Sequence, residues 1–197
     1  MSDPASPLLQ ALREGTRACH KGLEQRLPFF SDSFDLPAYQ RLIEAYYGFH
    51  APLEAALAGY QGVERNKAPA LVRDLFALGL DAAQIDALPQ CGALPLIDSE
   101  ASALGVMYVL EGSTLGGQVL KRAMAERLGV GAESGAAFFD VYGPLTGTHW
   151  RSFLARLAEA SLPPAALTCS VHAALATFER FEQWLEERGV LLRQTVA

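Results

Sequence analysis

Apolar residues recur at helical spacing along almost the whole chain, and local start and stop signals divide that pattern into separate helices. Leu8, Leu9, Leu12, Cys19, Leu23 and Leu27 form the first run. Ser6 supplies a capping hydroxyl ahead of it, Pro7 takes the first helical position, and Pro28 interrupts it. A second run opens near Asp35 and Pro37 and carries Tyr39, Leu42, Ile43, Tyr46, Phe49, Leu53, Ala56 and Leu57. Pro52 lies inside this run and predicts a kink or break, because proline removes one hydrogen bond of the helical ladder. Shorter helices are expected around residues 70–78 and 81–88, separated by Gly79 and closed by Pro89. Asp98 and Ser99 are placed to cap a long helix reaching about Leu128, with Gly129 as its stop. Residues 130–146 are rich in glycine and read as a connection. A helix over 148–160 presents Trp150, Phe153, Leu154 and Leu157, and a last one over 164–188 presents Leu167, Val171, Leu175, Phe178, Phe181, Trp184 and Leu185. No segment alternates cleanly at period two. The pattern predicts an all-α fold and one domain over residues 1–197, with no internal repeat.

Composition narrows the class further. Half of the 197 residues are hydrophobic and 19% are charged, which suits an ordinary globular protein. Sixteen basic against 22 acidic residues give a net charge of -6, which argues against nucleic acid as the main partner. Cys19, Cys91 and Cys169 are too dispersed for a thiolate zinc site or a disulfide framework, and suit a reducing cytosol. The first residues show no basic segment followed by an apolar run, and no stretch is apolar enough to cross a bilayer. A cytoplasmic protein without a membrane partner is the expectation.

The long fifth helix holds an anomaly. Glycine inside a helix costs about 0.5–1 kcal/mol against alanine, yet Gly105, Gly112, Gly116 and Gly117 all fall within it. Tyr108, Gly112 and Gly116 are four apart and share one face. Backbone stripped of side chains in this way lets either a flat ligand or a neighbouring helix come close. The doubled Gly116-Gly117 favours the ligand, because packing alone rarely asks for a pair of glycines that invites a bend.

His20 on the first helix is the other candidate. Glu24 lies one turn further on the same face, placed to accept a hydrogen bond from the imidazole, as the partner of a metal-ligating histidine usually does. Arg13, Arg17 and Lys21 run beside it at four-residue spacing, with Arg26 following. The functional reading is an iron ligand flanked by cations that hold carboxylates of a cofactor; the plain reading is a solvated helix face of mixed charge. His50 and Glu54 repeat the spacing, but Pro52 between them makes an undisturbed helical pair there doubtful. His149, His172 and the aromatic stripes read as ordinary helix and core residues. Glu-x-x-His, the lysine-bearing phosphate loop and the Gly-x-Ser-x-Gly elbow are absent from the sequence.

These segments carry a family resemblance. Leu12-Arg13-Glu14-Gly15-Thr16-Arg17-Ala18-Cys19-His20-Lys21-Gly22-Leu23-Glu24 resembles the proximal helix of the haem oxygenases. Tyr108-Val109-Leu110-Glu111-Gly112-Ser113-Thr114-Leu115-Gly116-Gly117-Gln118-Val119-Leu120 is similar to their glycine-kinked distal helix. Tyr39-Gln40-Arg41-Leu42 and Phe49-His50-Ala51-Pro52-Leu53-Glu54 resemble the bacterial branch found alongside bacterial phytochromes.

The resemblance implies a haem-oxygenase-like helical fold with b-type haem, cofactor and substrate at once, between a proximal and a distal helix. Metal ligation would fall to His20, oriented by Glu24. Gly112 and Gly116, with Gly117 beside them, would let the distal backbone press on the ring. Arg13, Arg17, Tyr108 and Arg151 would grip the propionates. The implied reaction cleaves haem at a meso carbon to biliverdin, releasing iron and carbon monoxide, with dioxygen and electrons from a ferredoxin, flavodoxin or reductase; a phytochrome would be a recipient of the biliverdin. Ser113 stands where animal members have an aspartate, so its hydroxyl, that of Thr114, or carbonyls freed by a kink would have to hold the distal water. Two alternatives stay open: a haem carrier or sensor that uses the same contacts but never opens the ring, and a thiaminase-like enzyme of the same helical fold that uses no haem and would have no purpose for the glycine-kinked segment.

Overall fold

The computed structural model describes residues 6–193, and seven α-helices carry most of the chain. Helix α1 spans Pro7–Arg26, α2 Leu36–Ala56, α3 Ala68–Ala77, α4 Ala82–Asp86, α5 Glu100–Leu128, α6 Thr146–Glu159 and α7 Pro164–Glu187. Short 3-10 turns fill the connections at Pro28–Phe30, Val63–Arg65, Phe138–Asp140 and Gly143–Leu145. Among the described residues there is no strand, and no helix is long and apolar enough to cross a membrane.

The local signals act as their chemistry predicts. Ser6 accepts the Leu9 N–H at 3.2 Å, Asp35 accepts that of Ala38 at 2.8 Å, and Ser99 and Ser102 cap α5 reciprocally. Gly129 ends α5 in the left-handed region at φ 71°. Tyr39, Tyr46, Phe49, Phe178 and Trp184 are buried, so most of the aromatic stripes are core.

The expectation of a break at Pro52 is not met, for a physical reason. Helix α2 continues through Pro52, whose missing N–H leaves the Gly48 carbonyl without its helical donor. The Cys91 N–H supplies that bond from another segment, at 2.8 Å. His50 and Glu54 consequently do form a one-turn pair, with His50 Nδ1 3.7 Å from Glu54 Oε1 and both side chains buried. Glu54 also accepts the Lys67 and Ala68 N–H groups at 2.7 and 3.0 Å, capping α3, which has no capping side chain of its own. Burial works against its ionisation, but the adjoining imidazole and the two backbone donors outweigh it and hold its carboxyl below the usual carboxylate range.

Asp74 of α3 ties down the long connection after α5. Its carboxylate accepts the Ala137 and Phe138 N–H groups at 2.6 and 2.8 Å, and burial pushes it up to about 6 despite those donors. A carboxyl with a higher pKa in the folded than in the unfolded chain makes the folded chain the better proton binder between the two values. Its contribution is therefore full near pH 4 and declines as pH rises through 6. Asp74→Asn should lose about 1–3 kcal/mol at any pH by removing an acceptor. On top of that, the wild type's advantage over the variant should shrink by about 2–3 kcal/mol between pH 4 and 7. Thermal melts across that range test this; parallel pH profiles for the two proteins would contradict it.

Candidate functional site

Helices α1 and α5 carry most of the candidate residues, and α7 sets their relation. α7 packs on both, and α6 also touches both, whereas α1 and α5 make no extensive contact with each other. α7 thus bridges two helices that hardly touch each other. α1 and α7 run side by side in one direction. Val171 abuts Gly15, Phe178 meets the His20 ring edge-on at 5.8 Å, and Glu182 and Glu186 bond Arg26 at 2.7 and 3.1 Å. Arg26 thus anchors α1 rather than extending the free basic stripe.

The His20 side chain remains 56% exposed beside this contact, with its Nδ1 3.6 Å from Glu24 Oε2. That places the carboxylate to orient the ring and leaves Nε2 without a partner among the described residues. Arg13, Arg17 and Lys21 are exposed, and among the described residues none of them forms an ion pair.

The glycines of α5 divide into two pairs doing different work. A Cβ at Gly105 would stand 2.0 Å from the Ser170 carbonyl oxygen, and one at Gly117 would stand 2.4 Å from that of Phe139. Both let neighbouring backbone pack. A Cβ at Gly112 or Gly116 would meet nothing within 4 Å. Among the described residues no packing requires glycine at those two positions. Gly117, grouped with the cofactor-binding glycines on sequence, is turned to the Phe139 connection instead.

Helix α5 is unbroken across these glycines. Ser113 and Thr114 donate their hydroxyls to the Leu110 and Glu111 carbonyls at 2.8 and 2.7 Å, a bonding pattern that bends helices without freeing a carbonyl. Ser113 is exposed and keeps its oxygen lone pairs available. Tyr108 is half-buried and tilted against Trp150 of α6, ring centroids 6.3 Å apart. Arg151, next along α6, is exposed and donates to Thr148 Oγ1 at 3.2 Å.

A solvent-facing imidazole with a carboxylate behind it, unpaired cations on the same helix, and an uncovered stretch of bare backbone on another helix are the parts of a site for a flat, anionic, metal-bearing ligand. Those parts fit haem. The Heme oxygenase family model matches residues 6–187, and the chain belongs to that family. It is 31% identical over 163 residues to a heme oxygenase of Xanthomonas campestris pv. campestris, with 77% of this chain and 90% of that protein covered. Its fold is similar to a heme oxygenase of Leptospira interrogans (TM-score 0.75, 19% identity, 91% of this chain and 98% of that one). It is also similar to the heme oxygenase of Neisseria meningitidis (TM-score 0.74, 23% identity, 95% and 94%). The chain is thus a haem-degrading oxygenase, opening haem at a meso carbon to biliverdin with loss of iron and carbon monoxide.

Sequence reasoning passed over one feature beside the site. Glu111, next to Gly112, is fully buried and bonds Arg65 Nη1 and Lys67 Nζ, each at 2.8 Å. The signal was available: Glu111 is the lone charged residue between Glu100 and Lys121.

The division of the glycines is testable on the chain without haem. Gly116→Ala should raise stability by roughly 0.5–1 kcal/mol while weakening haem binding. Gly105→Ala and Gly117→Ala should each cost about 1–3 kcal/mol through overpacking. Thermal melts with a hemin titration check both; a destabilising Gly116→Ala would place that face inside the packing.

Proposed function

We propose that haem lies between α1 and α5 with His20 as its iron ligand, in a chain acting as one domain. The observation that carries this reading is an exposed imidazole on α1 together with glycines on α5 whose missing side chains no protein atom replaces. Haem is both cofactor and substrate; when bound it supplies the activation of dioxygen and is itself the molecule opened.

The side chains do the rest. Glu24 accepts from His20 Nδ1–H, fixing the tautomer that leaves Nε2 to ligate. Arg13 and Arg17, without an ion pair among the described residues, hold carboxylates of the substrate, with the Tyr108 hydroxyl and Arg151 as further donors. Gly112 and Gly116 bring α5 backbone within van der Waals reach of the ring, excluding a competing substrate and confining oxygen chemistry to the ring edge. Ser113 Oγ, its proton committed to the Leu110 carbonyl, accepts from a water and so holds a proton source at the distal side.

The basic stripe of Arg13, Arg17 and Lys21 suits an acidic electron donor of the ferredoxin, flavodoxin or reductase type. Free thiols at Cys19, Cys91 and Cys169 suit a cytoplasmic setting. The bacterial-branch likeness of residues 39–42 and 49–54 supports a phytochrome as recipient of the biliverdin.

Hemin titration followed by reduction in air tests the whole reading. A Soret band should saturate at one haem per chain and then decay to a broad red biliverdin-like band. His20→Ala should abolish the histidine-ligated spectrum, whereas His50→Ala, whose ring is enclosed by Tyr46, Phe49, Phe138 and Phe181, should keep it. The reverse pair of results would overturn the ligand assignment, and saturation without decay would leave a carrier.

A further inference from the structure

We infer that Glu111 is a positioning residue that fixes the backbone of α5 at Gly112, acting through a buried ionic cluster with Arg65 and Lys67. Lys67 is fully buried, and its Nζ donates to Glu111 Oε1 at 2.8 Å, to the Tyr142 hydroxyl at 3.1 Å and to the Arg65 carbonyl at 3.0 Å. Arg65 spans Glu111 Oε2 at 2.8 Å and Ser152 Oγ of α6 at 3.0 Å. The Tyr142 hydroxyl donates to Glu111 Oε1 at 2.8 Å, and its ring stacks on His149 of α6 at 4.0 Å. One carboxylate of α5 is thereby tied to the turn before α3, to the connection after α5 and to α6.

Two arguments make this a matter of position. A buried ion pair is weak support for stability, since desolvation offsets most of its attraction, and its better-attested use is to specify register. The stretch from Gly112 to Gly116 also has few ties to the rest of the fold among the described residues. Gly112 and Gly116 have no side-chain contacts, and Ser113 and Thr114 bond back to the helix. Consecutive Cα atoms are about 3.8 Å apart, so fixing Glu111 fixes Gly112. The functional consequence rests on the reading above that Gly112 faces haem; the mechanical part does not.

Amide hydrogen exchange on the haem-free chain separates the two. In Glu111→Gln, exchange over residues 108–118 should accelerate at least tenfold, with 7–26 and 164–187 unchanged. In Glu111→Gln with Lys67→Met, which removes the fully buried one of the two orphaned cations and leaves Arg65 its bond to Ser152, part of that protection should return. With hemin added, Glu111→Gln should keep the spectrum given by His20 yet form biliverdin at least tenfold more slowly. Unchanged exchange over 108–118, uniform acceleration along the chain, or a double variant as unprotected as the single one would each overturn the inference. Exchange as expected in a chain whose wild type fails to bind hemin would overturn the haem reading and leave the mechanical one standing.

Discussion

The site depends on α7 lying against α1 and α5 at once while those two helices hardly meet. Close approach makes the arrangement possible. Gly15 admits Val171, and Gly105 admits the Ser170 backbone, so both helices reach α7 at places where a methyl group would already collide. Further along each helix the contacts change character. His20 touches Phe178 by a ring edge and otherwise faces solvent, while Gly112 and Gly116 face nothing. Tight packing at one level of the bundle and none at the next is how an all-helical chain makes room for a flat molecule without weakening its core.

Charge is partitioned in the same way. The cations of α1 near His20 are exposed and, among the described residues, unpaired, available to a ligand's carboxylates or to a partner protein. The cations behind α5, Arg65 and Lys67, are buried and consumed by Glu111, with Glu54 nearby binding backbone. One set is free to recognise; the other is committed to shape. In the proposed site haem would draw on both, the free set for its carboxylates and the committed set to hold the α5 backbone steadily beside the ring.

Legibility followed the range of the interactions. Helix starts at Ser6, Asp35 and Ser99 and the stop at Gly129 were readable because the bonds involved stay within one turn. His20 with Glu24 and the run from Tyr108 to Gly117 were readable as motifs for the same reason. What spacing could not show was which segment lies opposite. The tolerance of Pro52 depends on the Cys91 N–H, the role of Gly117 on the Phe139 carbonyl, and the burial of Glu111 on Arg65 and Lys67. Each partner arrives from a distant part of the chain. The lone carboxylate in an apolar helix hinted at a buried cation without naming it.

The crystal structure of the ferric haem complex would test the central claim most directly. The account predicts iron bonded to His20 Nε2 and the opposite ring face in van der Waals contact with the Gly112 and Gly116 backbone. It also predicts that the propionates point toward Arg13 and Arg17. Iron held by any other side chain, or a ring lying away from these two glycines, would contradict it.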